Sequence, residues 1–518
     1  MSQAKQLELE RLFADPALSG ATPRSPAMAP DGSRVTYLKG KAEDANRLDL
    51  WEYHIKAGKH RLLVDADSLV SGDETLSDEE KARRERMRLF ASGIVSYSWA
   101  KNSDALLFPL NGDLYYYQLS SKTAKKLTDT AEFETDAKIS PTGRYVSFIR
   151  QQNVFVLDIA SGKETQLTFD GGGDIKNGMA EFVAQEEMGR MTGYWWAPDD
   201  SKIAFTRTDE SGVAEVVRNE IYADEIKLFN QRYPYTGTAN ATIQLGVVTL
   251  ADGSINWIPH GDNADIYLPR VEWTQNSRYL SYQWQSRDQH KLELRLVDLT
   301  TNQQKVLLTE TSTTWLNLHD DLHFLKNQQG FIWASERDGY KHLYYFDFNG
   351  NLLRQLTSGD WVVDELDAVN EAQGMVYFTA RKDTVLERHL YQVSLKSGEI
   401  NRLTELGYDH ALVMAKDASS FIDSFSNVTT PPKVALRALN GQVLTWLEQN
   451  TLDTKHPLTP YHSDLHAPRF GSIKAEDGQT LHYRLFEPAQ RAEGKRYPVV
   501  VSVYGGPHAQ RVTNSWSP

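Results

Sequence analysis

Short apolar runs alternate with polar turns over most of the chain, a pattern typical of β-strands joined by tight connections. One motif recurs along it: a small or aromatic residue, a polar turn and then a strand-like run. The clear copies begin with Ala29-Pro30-Asp31-Gly32, Trp99-Ala100-Lys101-Asn102-Ser103, Ser140-Pro141-Thr142-Gly143, Ala197-Pro198-Asp199-Asp200 and Trp273-Thr274-Gln275-Asn276-Ser277. Weaker copies begin near residues 326, 370 and 415.

A second motif, a strand–turn–strand hairpin, follows each copy of the first; residues 156–168 and 391–404 are examples. The two motifs alternate about eight times at a spacing of roughly 40–75 residues, which suits four-stranded propeller blades with insertions. We therefore predict a mostly β fold with an eight-bladed β-propeller over residues 21–455. The alternative is a long sandwich or β-solenoid, which strict alternation disfavours. The WD40 dipeptides are absent, so the propeller belongs to another class.

Two segments interrupt this period. Residues 74–90 predict a highly charged helix, with Ser77 or Asp78 as N-cap and acidic residues preceding basic ones. Residues 172–192 carry the adjacent carboxylates Glu186 and Glu187 beside an aromatic cluster. Insertions on a repeat scaffold tend to lie on one face and to carry function. For both segments, solvated surface charge is the alternative interpretation, and composition alone favours it.

The carboxylate pair suggests a ligand. Adjacent buried carboxylates repel each other, so a fold that holds them together usually supplies a cation. The amino group of a substrate is one such cation.

The two ends of the chain depart from the repeat. Residues 1–20 predict an N-terminal helical segment, with Leu9, Leu12 and Phe13 on one face of a helix over 3–14. Residues 456–518 predict a linker followed by strands near 470–475, 481–486 and 497–503. The last is a continuous apolar run, typical of a strand buried on both faces of an α/β sheet.

A Gly-Gly loop, Tyr504-Gly505-Gly506-Pro507, follows that run. α/β-Hydrolases place oxyanion donors in such a loop, although most such tripeptides are simple turns. We therefore predict that residues 456–518 contain the first strands of an α/β-hydrolase domain. The sequence has no Gly-x-Ser-x-Gly, and nothing after Tyr504 supplies a Ser, Asp and His in hydrolase order. The expectation is a chain that stops before the catalytic serine and is inactive alone.

Composition narrows the classes of function. The net charge of −13 disfavours nucleic-acid binding, because no basic stripe is present to neutralise phosphates. The absence of cysteine excludes disulfides, thiolate metal sites and a cysteine nucleophile. The histidines show no metal-ligand spacing, so we expect no metal and no cofactor. No apolar run of about 18 residues exists, so no membrane span is expected. The acidic N-terminus is unlike a signal peptide, and the compartment stays open between cytoplasm and, behind a trimmed signal, periplasm.

The motifs resemble those of a known family. Gln185-Glu186-Glu187, followed by Thr192-Gly193-Tyr194-Trp195-Trp196-Ala197-Pro198, resembles the Glu-Glu motif of the dipeptidyl peptidase IV family, within the prolyl oligopeptidase clan of serine peptidases. Supporting matches lie at residues 232–240, 335–344 and 497–507. The resemblance implies an eight-bladed propeller capped by an α/β-hydrolase domain, with the active site between them. It also implies release of N-terminal dipeptides, with Pro or Ala at the second position.

The resemblance further implies roles for individual residues. Glu186 and Glu187 would bind the α-ammonium of a peptide with a free N-terminus. An arginine of the 83–88 segment would contact the carbonyl region of the same substrate residue; we favour Arg84 over Arg88, which we place on the same helix face. Tyr504 matches the family's oxyanion-hole tyrosine. A homodimer of the full-length protein is a further expectation, since the family commonly dimerises.

The chemistry is consistent with this interpretation. An enzyme that removes dipeptides must measure the distance from the N-terminus to the scissile bond, and an ammonium anchor fixes that distance. Two alternatives stay open. One is a non-catalytic propeller that binds peptides or proteins. The other is a related prolyl oligopeptidase or acylaminoacyl peptidase, against which the carboxylate pair argues, because an endopeptidase gains nothing from an ammonium anchor.

Overall fold

A computed structural model of the chain describes residues 7–70, 72, 74, 76–261, 265–462, 466–488, 491–506 and 509–517. Within this part, eight antiparallel sheets follow one another from residue 24 to residue 448. Four principal strands are hydrogen-bonded in chain order in each sheet, so every sheet is a meander. The sheets are the blades of an eight-bladed β-propeller, which confirms the fold class predicted from the repeats.

The blades are numbered in chain order, and their strands have the following bounds. Blades 1 and 2 contain β1 Arg24–Met28, β2 Arg34–Gly40, β3 Arg47–His54, β4 Lys59–Val64, β5 Ser92–Gly93 (parallel to β3), β6 Ser98–Trp99, β7 Ala105–Leu110, β8 Asp113–Gln118 and β9 Thr123–Lys126. Blades 3 and 4 contain β10 Thr135–Ile139, β11 Tyr145–Arg150, β12 Asn153–Asp158, β13 Glu164–Gln166, β14 Ile175–Asn177, β15 Tyr194–Trp196, β16 Lys202–Asp209, β19 Thr242–Thr249 and β20 Ile255–Ile258.

Blades 5 to 8 complete the ring. Blades 5 and 6 contain β21 Ile266–Tyr267, β22 Val271–Trp273, β23 Tyr279–Ser286, β24 Lys291–Asp298, β25 Gln303–Thr311, β26 Leu322–Phe324, β27 Phe331–Ser335, β28 His342–Phe346 and β29 Leu352–Gln355. Blades 7 and 8 contain β30 Val363–Asn370, β31 Met375–Ala380, β32 His389–Ser394, β33 Ile400–Arg402, β34 Asp409–Met414, β35 Ser420–Asn427, β36 Thr430–Ala438 and β37 Val443–Glu448.

The hydrophobic core lies between adjacent blades. The second and third strands of each blade are apolar on both faces, because each blade packs against a neighbour on either side. Ile332 and Ala334 of blade 6, for example, share one buried cluster with Val376 and Phe378 of blade 7. Blade 8 closes the ring by packing on blade 1, where Val35 shares a cluster with Ile422, Val434 and Leu436. The Thr445 hydroxyl also donates to the Tyr53 hydroxyl at 2.9 Å.

Helices are few in the described residues and lie outside the blades. They are α1 Leu9–Phe13, α2 Ala66–Leu69, α3 Asp78–Arg86, α4 Phe182–Glu186 and one 3₁₀ turn, Lys326–Gln328. The charged helix predicted over 74–90 is present as α3, and the Ser77 hydroxyl caps it by accepting from the Glu80 amide at 3.2 Å. No helix in the described part of the chain is both long and apolar enough to span a membrane.

Blade 4 carries two insertions, and both matter below. The inner insertion, residues 178–193, contains α4 and separates β14 from β15, which pair with successive parts of β16. The arm hairpin consists of β17 Glu215–Ile221 and β18 Ile226–Arg232, paired with each other between β16 and β19. The predicted insertion at 172–192 therefore interrupts the innermost strand of its blade.

The chain ends differ from three expectations. The N-terminal helix is shorter than predicted, and the face formed by Leu9, Leu12 and Phe13 is exposed; the helix predicted from residue 3 begins outside the described residues. The predicted linker is packed, because Leu458 and Tyr461 are buried against Leu18. Two of the three late strands form a hairpin, β38 Arg469–Lys474 with β39 Thr480–Leu485.

The third late strand, predicted over 497–503, is not formed. Val499, Val500, Val501 and Val503 are each at least 76% exposed. A strand of this kind is stabilised by neighbouring strands and by layers on both faces, and no described residue pairs with it. Further along, the Asn514 amide group binds Glu387 Oε1 at 2.8 Å and the Asn514 backbone N–H donates to the Leu386 carbonyl at 2.8 Å.

Candidate functional site

The inner insertion forms a closed loop on blade 4. Its two ends meet backbone to backbone, because the Gly193 N–H donates to the Gly178 carbonyl at 3.1 Å. A Cβ on Gly193 would lie 2.6 Å from backbone atoms of Gly178 and Met179, so only glycine allows this approach. The two ends of the loop that carries α4 are therefore held together beside β15.

A buried ion pair joins the residue before α4 to the segment that follows the helix. Arg190 Nη2 lies 3.1 Å from Glu181 Oε2, and both side chains are almost fully buried. The Arg190 backbone N–H also donates to the Ala184 carbonyl at 2.9 Å. Gly189, in the left-handed region with φ +63°, allows the chain to turn back after the helix. These contacts fix the short segment that carries Glu186 and Glu187.

An arginine of α3, the charged helix between blades 1 and 2, contacts the carboxylate pair. Arg86 Nε of α3 lies 3.2 Å from Glu186 Oε1, and Arg86 Nη1 donates to Gln185 Oε1 at 2.6 Å. The Arg86 guanidinium also lies 5.0 Å from the centre of the Phe182 ring. Burial lowers the pKa of Arg86, and the Glu186 carboxylate offsets this only in part. The charged helix α3 and the inner insertion, which carry opposite charges, therefore meet at this contact.

Glu187 is placed differently. Its backbone caps the end of α4, where its N–H donates to the Val183 carbonyl at 2.9 Å. Its side chain is exposed and makes no hydrogen bond or ion pair with another described residue. One carboxylate of the pair is therefore held by arginine, while the other is available to a ligand.

Arg84 and Arg88 occupy separate environments. Arg84 is 5% exposed and binds Glu74 through two hydrogen bonds of 2.8 Å and Glu80 through one of 3.0 Å. Arg88 is exposed, and it follows the helix with a left-handed φ of +56°. The expectation that both lie on one helix face is wrong, because α3 ends at Arg86 and the backbone changes conformation before Arg88.

Comparison with known proteins identifies the scaffold. Residues 99–432, more than half of the chain, match the model of the family described as "Dipeptidyl peptidase IV (DPP IV) N-terminal region". The chain belongs to the dipeptidyl peptidase IV family. This confirms the resemblance drawn from the Glu-Glu motif.

Individual members of the dipeptidyl peptidase IV family show the extent of the similarity. Human dipeptidyl peptidase 8 is 28% identical over 538 aligned residues, which cover 85% of this chain and 59% of that protein. "Probable dipeptidyl peptidase 4" of Aspergillus fumigatus is 28% identical over 412 residues, covering 73% of this chain and 51% of that protein. The chain thus spans about three fifths of the length of the first of these relatives and half of the second.

A solved structure agrees on the fold. The crystal structure of Porphyromonas gingivalis dipeptidyl peptidase 4 superposes with a TM-score of 0.83 at 23% sequence identity, covering 99% of this chain and 72% of that one. At this identity the likeness establishes the fold alone.

A cavity of about 330 Å³ adjoins the inner insertion. Arg190 and Trp195 line it from blade 4, Glu272 and Gln283 from blade 5, and His319 from the segment before blade 6. Burial, with a smaller contribution from nearby Asp320, raises the pKa of Glu272 to about 8. Glu272 is therefore largely protonated at neutral pH and can donate a hydrogen bond into the cavity.

The remaining predicted residue, Tyr504, lies far along the chain from this loop. Its side chain is 58% exposed, and its role stays a prediction. Among the described residues, no group of three or more His, Asp or Glu side chains is arranged to hold a metal ion.

Sequence reasoning missed Arg86 as the partner of Glu186. One signal could have favoured it over Arg84: Glu80 lies four residues before Arg84 on a helix, a spacing that pairs the two side chains with each other. Arg86, two residues further on, points to a different side of the helix and has no acidic residue four positions before it.

Proposed function

We propose that this chain is the propeller region of a serine exopeptidase that releases N-terminal dipeptides. In this proposal Glu186 and Glu187 bind the substrate's α-ammonium. The observation that carries it is the exposed Glu187 carboxylate, without a partner in the described residues, beside a Glu186 that Arg86 already holds. An ammonium needs two or more acceptors in a fixed arrangement, and a rigid carboxylate pair provides them.

The loop around the pair supports this role. The Glu187 carboxylate is exposed at the end of α4, and the backbone there is held by the buried Glu181–Arg190 ion pair. Arg86 is then the arginine placed to meet the substrate's first carbonyl. Arg84 and Arg88 keep that role as alternatives predicted from the family.

Two further elements come from the family rather than from geometry. A preference for Pro or Ala at the second substrate position is proposed on the resemblance alone. Tyr504 is proposed as an oxyanion donor on the same ground. The relatives' names describe dipeptidyl peptidases, and peptides with a free N-terminus are accordingly the proposed substrates.

We also propose that copies of the protein associate through the arm hairpin. Val217, Ile221, Ile226 and Leu228 on this hairpin are each 62–78% exposed. A two-stranded ribbon with this much apolar surface is typical of an interaction site. The partner proposed is a second copy, in line with the homodimer that the resemblance implies.

The anchor is tested by Glu186→Gln together with Glu187→Gln in the protein expressed from its complete reading frame. Cleavage of H-Xaa-Pro chromogenic substrates should fall by about 100-fold or more in kcat/KM, because an ammonium withdrawn from water in the complex would lose its charged partners, which costs about 2–5 kcal/mol. An unchanged kcat/KM in this variant would contradict the binding of the substrate's ammonium by Glu186 and Glu187. Glu43→Gln plus Glu476→Gln, which makes the same change of charge at two exposed glutamates outside the insertion, is the matched control. The purified 518-residue chain should show no turnover, and turnover from it would refute the expectation that it lacks the catalytic serine.

A further inference from the structure

The stem of the inner insertion is held from the neighbouring blade. Thr192 and Tyr194 flank Gly193, where the insertion rejoins β15. Both contact β10 of blade 3, through Asp136 and Lys138. These four residues, Asp136, Lys138, Thr192 and Tyr194, are called the stem cluster below.

Asp136 has an unusual backbone. Its φ is +50°, in the left-handed region, at a bulge where the register between β10 and β11 shifts. A residue other than glycine rarely adopts this conformation, and it costs of the order of 1 kcal/mol or more unless the surroundings impose it. At Asp136 the conformation turns both the carbonyl and the carboxylate toward blade 4.

Both groups accept hydrogen bonds there. The Asp136 carbonyl accepts from the Tyr194 hydroxyl. The Asp136 carboxylate accepts from the Thr192 hydroxyl at 2.5 Å and lies 3.5 Å from the Lys138 ammonium. Thr192 comes five residues after Glu187, so this contact holds the outgoing arm of the loop.

Lys138 completes the cluster. Its ammonium donates to the Tyr194 carbonyl at 2.6 Å and to the Thr192 hydroxyl, and it lies 3.7 Å from the centre of the Tyr194 ring. Burial lowers the pKa of Lys138, while Asp136 acts in the opposite direction. The lysine and aspartate therefore compensate each other at a half-buried site.

Blade 1 contains the same backbone device without the charge. Ser25 of β1 has φ +48° at an equivalent bulge, and its carbonyl accepts from the Tyr97 hydroxyl of blade 2 at 2.7 Å. The Trp99 indole N–H donates to Thr36 at 2.8 Å, as the Trp196 indole N–H donates to Ser147 at 2.7 Å. The bulge and the tyrosine are thus part of the blade-to-blade scaffold, whereas Asp136, Lys138 and Thr192 are additions at the insertion.

We propose that Asp136, with Lys138 and Thr192, is a positioning residue for the Glu186–Glu187 pair. The Glu187 side chain makes no hydrogen bond or ion pair with a described residue, so its place depends on its backbone. That backbone is fixed at one side by the Glu181–Arg190 pair and at the other by the stem cluster. This inference rests on the proposed function only for the ligand that the pair binds.

The decisive variant is Asp136→Ser, which gives blade 3 the residue that blade 1 has at its bulge. The carbonyl contact is kept, while the carboxylate is lost and with it the Thr192 hydrogen bond and the counter-charge of Lys138. In the 518-residue chain, amide hydrogen exchange over residues 186–193 should become about tenfold faster. Ser25→Ala in blade 1 is the matched control and should leave that exchange unchanged. Asp136→Asn is the second variant if Asp136→Ser impairs folding. Unchanged exchange over 186–193 would overturn the proposal, whatever the function of the loop.

Kinetics separate positioning from simple stability. In the enzyme expressed from its complete reading frame, Asp136→Ser should raise KM about tenfold and leave kcat near its wild-type value, because ammonium binding is weakened and the reacting groups are untouched. An unchanged KM in Asp136→Ser, with a raised KM in Glu186→Gln plus Glu187→Gln, would contradict the positioning role and keep the anchor. Faster hydrogen exchange in Asp136→Ser, with an unchanged KM in Glu186→Gln plus Glu187→Gln, would contradict ammonium binding by the glutamates. It would still support the role of the stem cluster in holding the loop.

Discussion

The inner insertion and the arm hairpin leave the same blade, yet they are built in opposite ways. The inner insertion is short, charged and fixed: Glu181 pairs with Arg190, and Thr192 binds Asp136. The arm hairpin has a similar length, but it exposes four apolar side chains, Val217, Ile221, Ile226 and Leu228. In the inner insertion, polar side chains pair with each other and with blade 3, so the carboxylate pair is held in place. In the arm hairpin, apolar side chains are exposed to solvent, as expected of a surface that binds a partner.

The two insertions nevertheless meet near α3. Arg86 of α3 binds Glu186, and Glu85 of α3 lies 3.6 Å from Arg218 of the arm hairpin. The Phe182 ring of α4 packs edge-on against Tyr233, just after β18, with ring centres 5.3 Å apart. The ligand site and the proposed association surface therefore share a helix, and substitutions can separate their contributions.

The largest effect is expected at Arg84, which holds α3 itself. Arg84→Leu removes the ion-pair partner of the buried Glu74 carboxylate and leaves Glu80 only Arg83, at 3.6 Å, which should lower the local stability of α3 by about 3 kcal/mol. Amide hydrogen exchange of α3 measures this loss. Arg88→Ala, at an exposed position after the helix, is the control. Equal amide hydrogen exchange of α3 in Arg84→Leu and Arg88→Ala would contradict a stabilising role of Arg84. It would favour Arg84 as the arginine that contacts the substrate.

The next effect is expected on the arm hairpin. Ile226→Asp plus Leu228→Asp should weaken association between copies by about 100-fold, because two exposed apolar side chains become charged. Sedimentation velocity over a concentration series measures the change. Leu352→Asp, on an exposed strand of blade 6, is the control for a general change of surface charge. Identical sedimentation of arm variant and wild type would exclude the hairpin as the contact.

A smaller effect is expected at Arg86. Arg86→Met removes the cation from Glu186 and should lower kcat/KM for dipeptide release about tenfold, since an arginine–carboxylate hydrogen bond contributes about 1.5–3 kcal/mol. Hydrogen exchange of the arm hairpin should stay unchanged. If Arg86→Met speeds amide hydrogen exchange in the arm hairpin by the same factor by which it lowers kcat/KM, α3 supports both insertions. Their contributions are then not independent.

The smallest effect concerns Glu272, behind the inner insertion. Its pKa of about 8 in the folded chain lies above the ordinary value of 4.5, so the folded state binds the proton more tightly. This favours folding at low pH and is lost as pH rises from about 4.5 through 8. Glu272→Gln should therefore raise Tm relative to wild type at pH 9, by roughly 1–3 °C, and have little effect at pH 5. Equal Tm shifts at both pH values would contradict the raised pKa.

The sequence predicts the scaffold better than it predicts the site. Repeated turns such as Ser140-Pro141-Thr142-Gly143 locate blades because turn residues and strand periodicity are local properties. The Ser77 cap of α3 is local too. Arg86 was missed because its partner, Glu186, lies 100 residues away, and only the ring of blades brings them together. The stem cluster was missed for the same reason, since Asp136 is 56 residues from Thr192.

Two apolar patterns were misleading. Leu9, Leu12 and Phe13 have helical spacing but face solvent, and the β-branched run at 499–503 forms no strand with the described residues. Periodicity states which face is apolar, and only the rest of the fold decides what covers it.

The most direct measurement is binding of a Xaa-Pro dipeptide to the 518-residue chain, with a free and with an acetylated N-terminus, by NMR titration. The account predicts that the free dipeptide shifts the Glu187 and Gly189 amide resonances and that acetylation, which removes the charge, abolishes the effect. Glu186→Gln plus Glu187→Gln should abolish binding of the free form. Equal shifts with free and acetylated dipeptide would contradict an ammonium anchor at this loop.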